Sequence, residues 1–212
     1  MVERVELIGQ HVVLEPMERA HVDGLLAAAS EDRATYAFTL VPHDAASTRE
    51  YVDVALADEV AGTALPFVIR LRADGRIVGT SRFLDLDFWP ADGDPDTPST
   101  TEIGSTWLAA SVQATHVNPE AKLLMLTHAF DVWGVHRITF KTDARNERSR
   151  RAIARLGAQF EGIRRAHRLA YDGGIRDSAY YSIVRSEWPD VRARLVARLA
   201  EPVSRLAPQP AR

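Results

Sequence analysis

The sequence of 212 residues contains no cysteine, which removes disulfides, thiolate metal sites and a cysteine nucleophile together. Lysine is almost missing as well. Of 26 basic residues only Lys122 and Lys141 are lysines, a bias that a base-rich (G+C) genome would produce. No stretch approaches the roughly 20 uninterrupted apolar residues that a membrane-spanning helix needs. The opening residues, Met1-Val2-Glu3-Arg4-Val5-Glu6, have no basic segment followed by an apolar one. No secretory leader is read there, and a cytoplasmic location is expected. A large excess of one charge is also lacking: the formal net charge is −3, which argues against nucleic acid or an anionic membrane as a partner. The seven histidines show no His-x-x-x-His or His/Asp spacing, so no metal is expected. Gly-x-Ser-x-Gly does not occur, which sets aside a serine hydrolase.

What is present is an ordinary globular composition, 46% hydrophobic and 26% charged. The length suits one domain, expected over residues 1–200, with a polar, proline-containing tail over 201–212 that has little to bury. Strand-like segments are residues 11–16, 67–72, 77–84, 102–109, 136–143, 159–169 and 175–185. Asp74-Gly75 and Asp172-Gly173-Gly174 mark turns. Helical spacing appears in Val22, Leu25, Leu26 and Ala29, then in Tyr51, Val52, Ala55 and Leu56 after a Ser47-Thr48 start. Further helices are expected over 119–133, from about 147 to 156, and around Trp188, Val191, Leu195, Val196 and Leu199. Residues 87–101, with three prolines and four acids, read as a loop. The order strand, helix, strand, helix after residue 102 requires at least one parallel pair with a crossover.

The most informative stretch is Gln113-Ala114-Thr115-His116-Val117-Asn118-Pro119-Glu120-Ala121-Lys122. It joins a strand to an amphipathic helix with the stripe Leu123, Leu126, Phe130 and Trp133. Asn is a preferred N-cap and Pro a preferred first helical residue, so Asn118-Pro119 predicts the helix start. Unpaired N–H groups at such a start lie at the positive end of the helix dipole and suit an anion such as a pyrophosphate.

Together with Thr142-Asp143-Ala144-Arg145-Asn146-Glu147-Arg148-Ser149, Leu156-Gly157-Ala158-Gln159-Phe160, Glu161-Gly162 and Ser186-Glu187-Trp188-Pro189, this stretch resembles the GNAT superfamily of N-acetyltransferases, in its RimJ/RimL-like branch. The resemblance runs from about residue 11 to residue 199. It implies a mixed α/β fold with a central, mostly antiparallel twisted sheet of about seven strands, one splayed parallel pair, and flanking helices. It also implies acetyl-CoA or another acyl-CoA as co-substrate and a primary amine as acceptor, and it leaves a homodimer open. In the family's loop pattern, Gln/Arg-x-x-Gly-x-Gly/Ala, Gln113 matches the first position, while His116 and Asn118 replace the small residues.

By that resemblance, the backbone of Trp107, Leu108 and Ala109 would pair with the pantetheine arm. Gln113, Thr115, His116, Val117 and Asn118 would hold the pyrophosphate. Without glycine the loop reaches positive φ less freely, so the Thr115 hydroxyl and the Asn118 amide are expected to contribute. Asn146 matches the family's asparagine beside the cofactor arm. Ser149 matches the serine proposed to protonate the departing thiolate, although Asn146 as a helix cap and Ser149 as a plain first-turn residue read equally well. An amine with a pKa near 10.4 must lose a proton before it attacks. The glutamate of RimL-like members falls at Arg168 here, so Glu102 and His167 are the candidates. The alternatives are a surface salt bridge for Glu102, an exposed strand position for His167, and a water chain in place of either. Phe88 and Trp89 are expected to border the acceptor, beside Asp92, Asp94 and Asp96, which would attract a cation. The rival reading is a catalytically weak acyl-CoA-binding module of the same fold that acts as a sensor or partner subunit.

Overall fold

The computed structural model describes residues 2–90 and 96–201. Its strands are β1 (Leu7–Ile8), β2 (Val12–Pro16), β3 (Ala64–Leu71), β4 (Ile77–Asp87), β5 (Thr100–Leu108), β6 (Arg137–Asp143), β7 (Gln159–Leu169) and β8 (Ile175–Val184). They form one eight-stranded sheet in the order β1-β2-β3-β4-β5-β6-β8-β7. All neighbours are antiparallel except β5 and β6, which run parallel. The strand beyond the expected seven is β1, two residues long and too short to show an alternating pattern. The helices are α1 (Val22–Ala29), α2 (Ala45–Val60), α3 (Val117–Thr127), α4 (Glu147–Leu156) and α5 (Trp188–Ala200). None is long and apolar enough to cross a membrane.

Two helix starts differ from the sequence expectation, and both for capping reasons. Helix α2 begins two residues before Ser47 because Asp44 is its cap: the Asp44 carboxylate accepts from the Ser47 N–H at 2.7 Å. Helix α3 begins at Val117, ahead of Asn118-Pro119. There Thr115 Oγ1 accepts from the Val117 N–H at 3.3 Å, so Pro119 occupies the third helical position, where its missing N–H costs nothing. The expected helix to residue 133 continues, but as a wider π turn over His128–Trp133, closed by Gly134 in the left-handed region.

The sheet has two unlike faces. Consecutive strand residues point to opposite sides. On β4, Arg82 lies against Tyr51 of α2, while Ser81 accepts a hydrogen bond from Lys122 of α3. Helices α2 and α3 therefore cover opposite faces. Strands β6 and β8 bury Ile138, Phe140, Ala179, Tyr181 and Ile183 on the α3 side, where Ile153 and Leu156 of α4 are also buried. Their other face carries Thr139, Lys141, Asp143, Ser178, Tyr180 and Ser182, which the register pairs across the two strands. Polar alternation of this kind marks a sheet face left without a helix cover.

Candidate active site

The parallel pair is short. Thr100, Thr101 and Glu102 of β5 pair with Arg137, Ile138 and Thr139 of β6, and the pairing then stops. From Ile103 to Leu108 strand β5 keeps β4 but has no strand on its other edge. The two strands thus open as a V whose apex is Glu102. A bulge increases the divergence: two β5 residues face one on β4 between Arg82 and Thr80, with Ser105 at φ 48°.

Glu102 is 3% exposed. Its Oε2 lies 2.7 Å from Lys141 Nζ, two residues past the last β6 partner, and Lys141 Nζ lies 3.2 Å from Asp85 Oδ2. The salt bridge weighed from the sequence exists, but it is buried at the apex of the V. Burial pushes the Glu102 carboxyl up to about 7 against the opposing pull of Lys141. For Lys141 burial acts downward, yet the Glu102 and Asp85 carboxylates outweigh it and hold the ammonium above its usual value. Room for the Glu102 carboxyl comes from Gly104, where a Cβ would stand 2.5 Å from Oε1.

The helix-free face continues from this pair. His167 of β7 meets Ser178 Oγ through Nδ1 at 2.9 Å and the Tyr180 hydroxyl through Nε2 at 3.3 Å. Burial and the neighbouring Arg164 and Lys141 charges lower its pKa, favouring the neutral ring. Tyr180 is the register partner of Lys141, so His167 and Glu102 share one face.

At the open end of the V, the turn after β5 is held from several sides. The Tyr36 hydroxyl donates to the Leu108 carbonyl at 3.0 Å, and Gln113 Nε2 donates to the same oxygen at 2.9 Å. Arg148 of α4 donates to Gln113 Oε1 at 3.0 Å and to the Thr35 carbonyl, bridging the mouth. Trp107 and Ala109 are buried, with Tyr36 and Tyr51 edge-on to the Trp107 ring. Ala114 takes φ 59°, so the loop reaches a left-handed conformation without glycine. Thr115 Oγ1 is engaged locally, donating to the Val112 carbonyl at 2.7 Å. His116 leans on His11, with ring centroids 5.7 Å apart. The N–H groups of Thr115, His116 and Asn118 meet no acceptor among the described residues.

Asn146 caps α4: its Oδ1 accepts from the Ser149 N–H at 3.0 Å, which places Ser149 in the first turn, half-buried. Trp89 is elsewhere, at the closed end of the V. Its ring stacks on His136 with centroids 5.4 Å apart, its indole N–H donates to Asp87 Oδ2 at 2.9 Å, and its backbone N–H donates to Ser99 Oγ. Phe88 precedes it, half-buried. Asp92 and Asp94 lie outside the described residues.

Sequence reading missed Lys141, Tyr36 and Arg148. The signal for Lys141 was its rarity: a chain that uses arginine nearly everywhere keeps lysine at two positions. The other, Lys122, is buried and donates to Ser81 Oγ at 2.8 Å and Thr106 Oγ1 at 2.6 Å. It thereby holds the bulge of β5 from beneath. Glu120 also turns away from the loop, its carboxylate accepting from the N–H groups of Gln10 and His11.

A V-shaped strand pair with an unpaired inner edge, and a loop of free N–H groups beyond it, suit an extended ligand that ends in phosphates. Comparisons with known proteins agree. The family described as Acetyltransferase (GNAT) domain matches residues 11–159. A GCN5-related N-acetyltransferase from Brucella melitensis is 32% identical, over 93% of this chain and 86% of that one, with a TM-score of 0.79. RimJ of Mycobacterium smegmatis, solved in complex with CoA-disulfide, is 25% identical over 88% of each chain, with a TM-score of 0.73. A search of curated proteins found no match. The chain belongs to the GNAT acetyltransferase family and sits beside its RimJ/RimL-like members.

Proposed function

We propose that the protein transfers the acetyl group of acetyl-CoA to a primary amine by direct attack within a ternary complex. The observation that carries this reading is the buried Glu102 at the apex of the V, with a carboxyl pushed up to about 7. Acetyl-CoA supplies a thioester whose acyl carbon accepts the amine. The backbone of β5 around Leu108 binds the pantetheine arm, in competition with the Tyr36 and Gln113 hydrogen bonds to the Leu108 carbonyl, and an N–H there stabilises the oxygen on which charge develops. Gln113 to Asn118 bind the pyrophosphate through N–H groups and side chains, beside Asn146. Arg148 is placed to exchange its Gln113 contact for a phosphate oxygen. Glu102 takes the proton of the acceptor amine, and its pKa near neutrality suits that role. His167 belongs to the acceptor side, whereas Trp89, stacked on His136, lies away from it. Ser149 gives its hydroxyl proton to the departing thiolate and regains one from the attacking nitrogen as the amide forms.

The test is release of free CoA from acetyl-CoA with a panel of primary amines, with the acetylated product identified by mass spectrometry. Turnover above the hydrolysis background is expected with at least one amine. Tight acetyl-CoA binding without turnover would instead favour the sensor module. In the active protein, Ser149→Ala should lower kcat by about 10²-fold and leave acetyl-CoA affinity close to that of the parent. Near-parental kcat would return Ser149 to a purely helical role.

A further inference from the structure

One cation on the helix-free face, Arg176, feels the Asp143 and Glu102 charges but forms no salt bridge among the described residues. Arg176 lies on β8, two residues before Ser178, with 9% of its surface exposed. Its Nε donates to Ser178 Oγ at 3.0 Å, and its two Nη groups meet no acceptor among the described residues. Asp143 is the register partner of Ser178, but both its oxygens are committed to Arg145: Oδ1 accepts from the Arg145 N–H and Nε, and Oδ2 from Nη2. Arg168 of β7 is the register partner of Arg176 and adds to the positive charge. The stem of Arg176 is buried, but its unpaired Nη tip keeps contact with solvent, so it is free to take up an anion. Here the fork is held at its stem by Ser178 and left open at its tip, in line with His167 and Tyr180.

We propose that Arg176 is an anion subsite of the acceptor site, and that the acceptor is a small primary amine bearing a carboxylate or phosphate. The inference rests on the amine-acetylating reading above and narrows its substrate class. Glu102 and Arg176 act on each other electrostatically across the same sheet face. Register sets their Cα atoms six residues apart along the strands and two strands across, roughly 22 Å. The side chains reach inward from there, Glu102 to Lys141 and Arg176 to Ser178. With the amine at Glu102 and the anion at Arg176, the two charged groups sit at opposite ends of one small acceptor. The planar guanidinium fork grips a carboxylate or a phosphate through two parallel hydrogen bonds. Ser178 and His167 orient the fork, and Lys141 keeps the Glu102 end from repelling the bound anion.

Matched acceptors test this. γ-Aminobutyrate is compared with n-butylamine, and O-phosphoethanolamine with ethanolamine, by kcat/KM at low ionic strength. The parent should favour the anionic member of at least one pair by about tenfold or more, and the pair that responds tells carboxylate from phosphate. In Arg176→Gln that ratio should fall to about one, while Arg176→Lys, which keeps the charge but loses the fork, should keep part of it. Because the ratio is taken within each variant, a general loss of stability or activity does not mimic the result. Turnover of all four amines with no preference in the parent, or a preference that survives Arg176→Gln, would overturn the subsite and leave the enzymatic reading intact. If no amine is acetylated, the enzymatic reading fails, and calorimetric titration with γ-aminobutyrate and O-phosphoethanolamine decides the subsite alone. Binding of either that weakens about tenfold in Arg176→Gln would sustain it, and no binding of either to the parent would end it.

Discussion

Replacing Glu102 by Gln should lower kcat by about 10²–10³-fold, with little change in KM for acetyl-CoA. The substitution keeps the size of the side chain, and an amide oxygen can still accept from Lys141 Nζ, now 2.7 Å from Oε2. What it removes is the one carboxyl at the apex of the V, among the described residues, able to take a proton near neutral pH. Burial pushes this carboxyl up to about 7, so kcat in the parent should rise through a limb near pH 7 as the base ionises. That limb should be missing in the variant. Melting temperatures at pH 6, where the parent carboxyl is mostly protonated, should be similar in the two proteins and serve as the control for folding. A variant with kcat within fivefold of the parent and an unchanged pH profile would remove Glu102 from the proton transfer. It would leave the Glu102–Lys141 pair as a structural clasp between β5 and β6.

Lys122→Met should change the pH dependence of stability more than any other single substitution described here. Burial alone pushes the Lys122 ammonium down to about 7, from an ordinary value of 10.5. Between those two values the unfolded chain holds a proton that the native protein does not. The parent therefore gains stability as pH rises through that window, at up to about 1.4 kcal/mol per pH unit. Relative to the methionine variant, the parent should gain about 4 kcal/mol between pH 6 and pH 10. Methionine has a similar unbranched shape, and Ser81 Oγ and Thr106 Oγ1, 2.8 Å apart, still satisfy each other. Urea unfolding of both proteins across that range is the measurement. Parallel curves would mean that Lys122 keeps its charge in the folded state. A kcat that falls in the variant without loss of acetyl-CoA binding would further tie Lys122 to the β5 bulge through Thr106.

The fold was legible wherever a local pattern decided it. Helix α4 runs from Glu147 to Leu156 as expected, because Asn146 caps it and Gly157 ends it at φ 100°. The crossover between β5 and β6 followed from element order alone. The alternation in β6 fixed which side chains share a face, but not whether anything covers that face. This is why Glu102 could be read as a base or as a surface ion pair until its burial was known. The loop from Gln113 to Asn118 was harder. Ala114 at φ 59° carries a conformation that glycine signals and alanine hides. Thr115 serves the Val117 N–H from a position ahead of Asn118, so a well-formed cap signal pointed two residues too far along the chain. Asn118, Glu120 and Lys122 lie side by side in sequence, but Glu120 clasps the β1–β2 turn and Lys122 the β5 bulge. Spacing alone could not separate them from the loop.

The fates of the two lysines bear on how this protein coexists with its own donor. A thioester acylates unprotonated alkyl amines, while a guanidinium stays protonated and inert in proteins. Lys122 is sealed beneath β5, and Lys141 is held charged between Glu102 and Asp85 with 17% of its side chain exposed. Every other basic side chain apart from histidine is arginine. The outer surface thus offers almost no side-chain nucleophile for stray acetylation. An amine-reactive reagent applied to the folded protein would find few targets beyond an α-amino group, so a probe placed there would report on the whole chain without competing label.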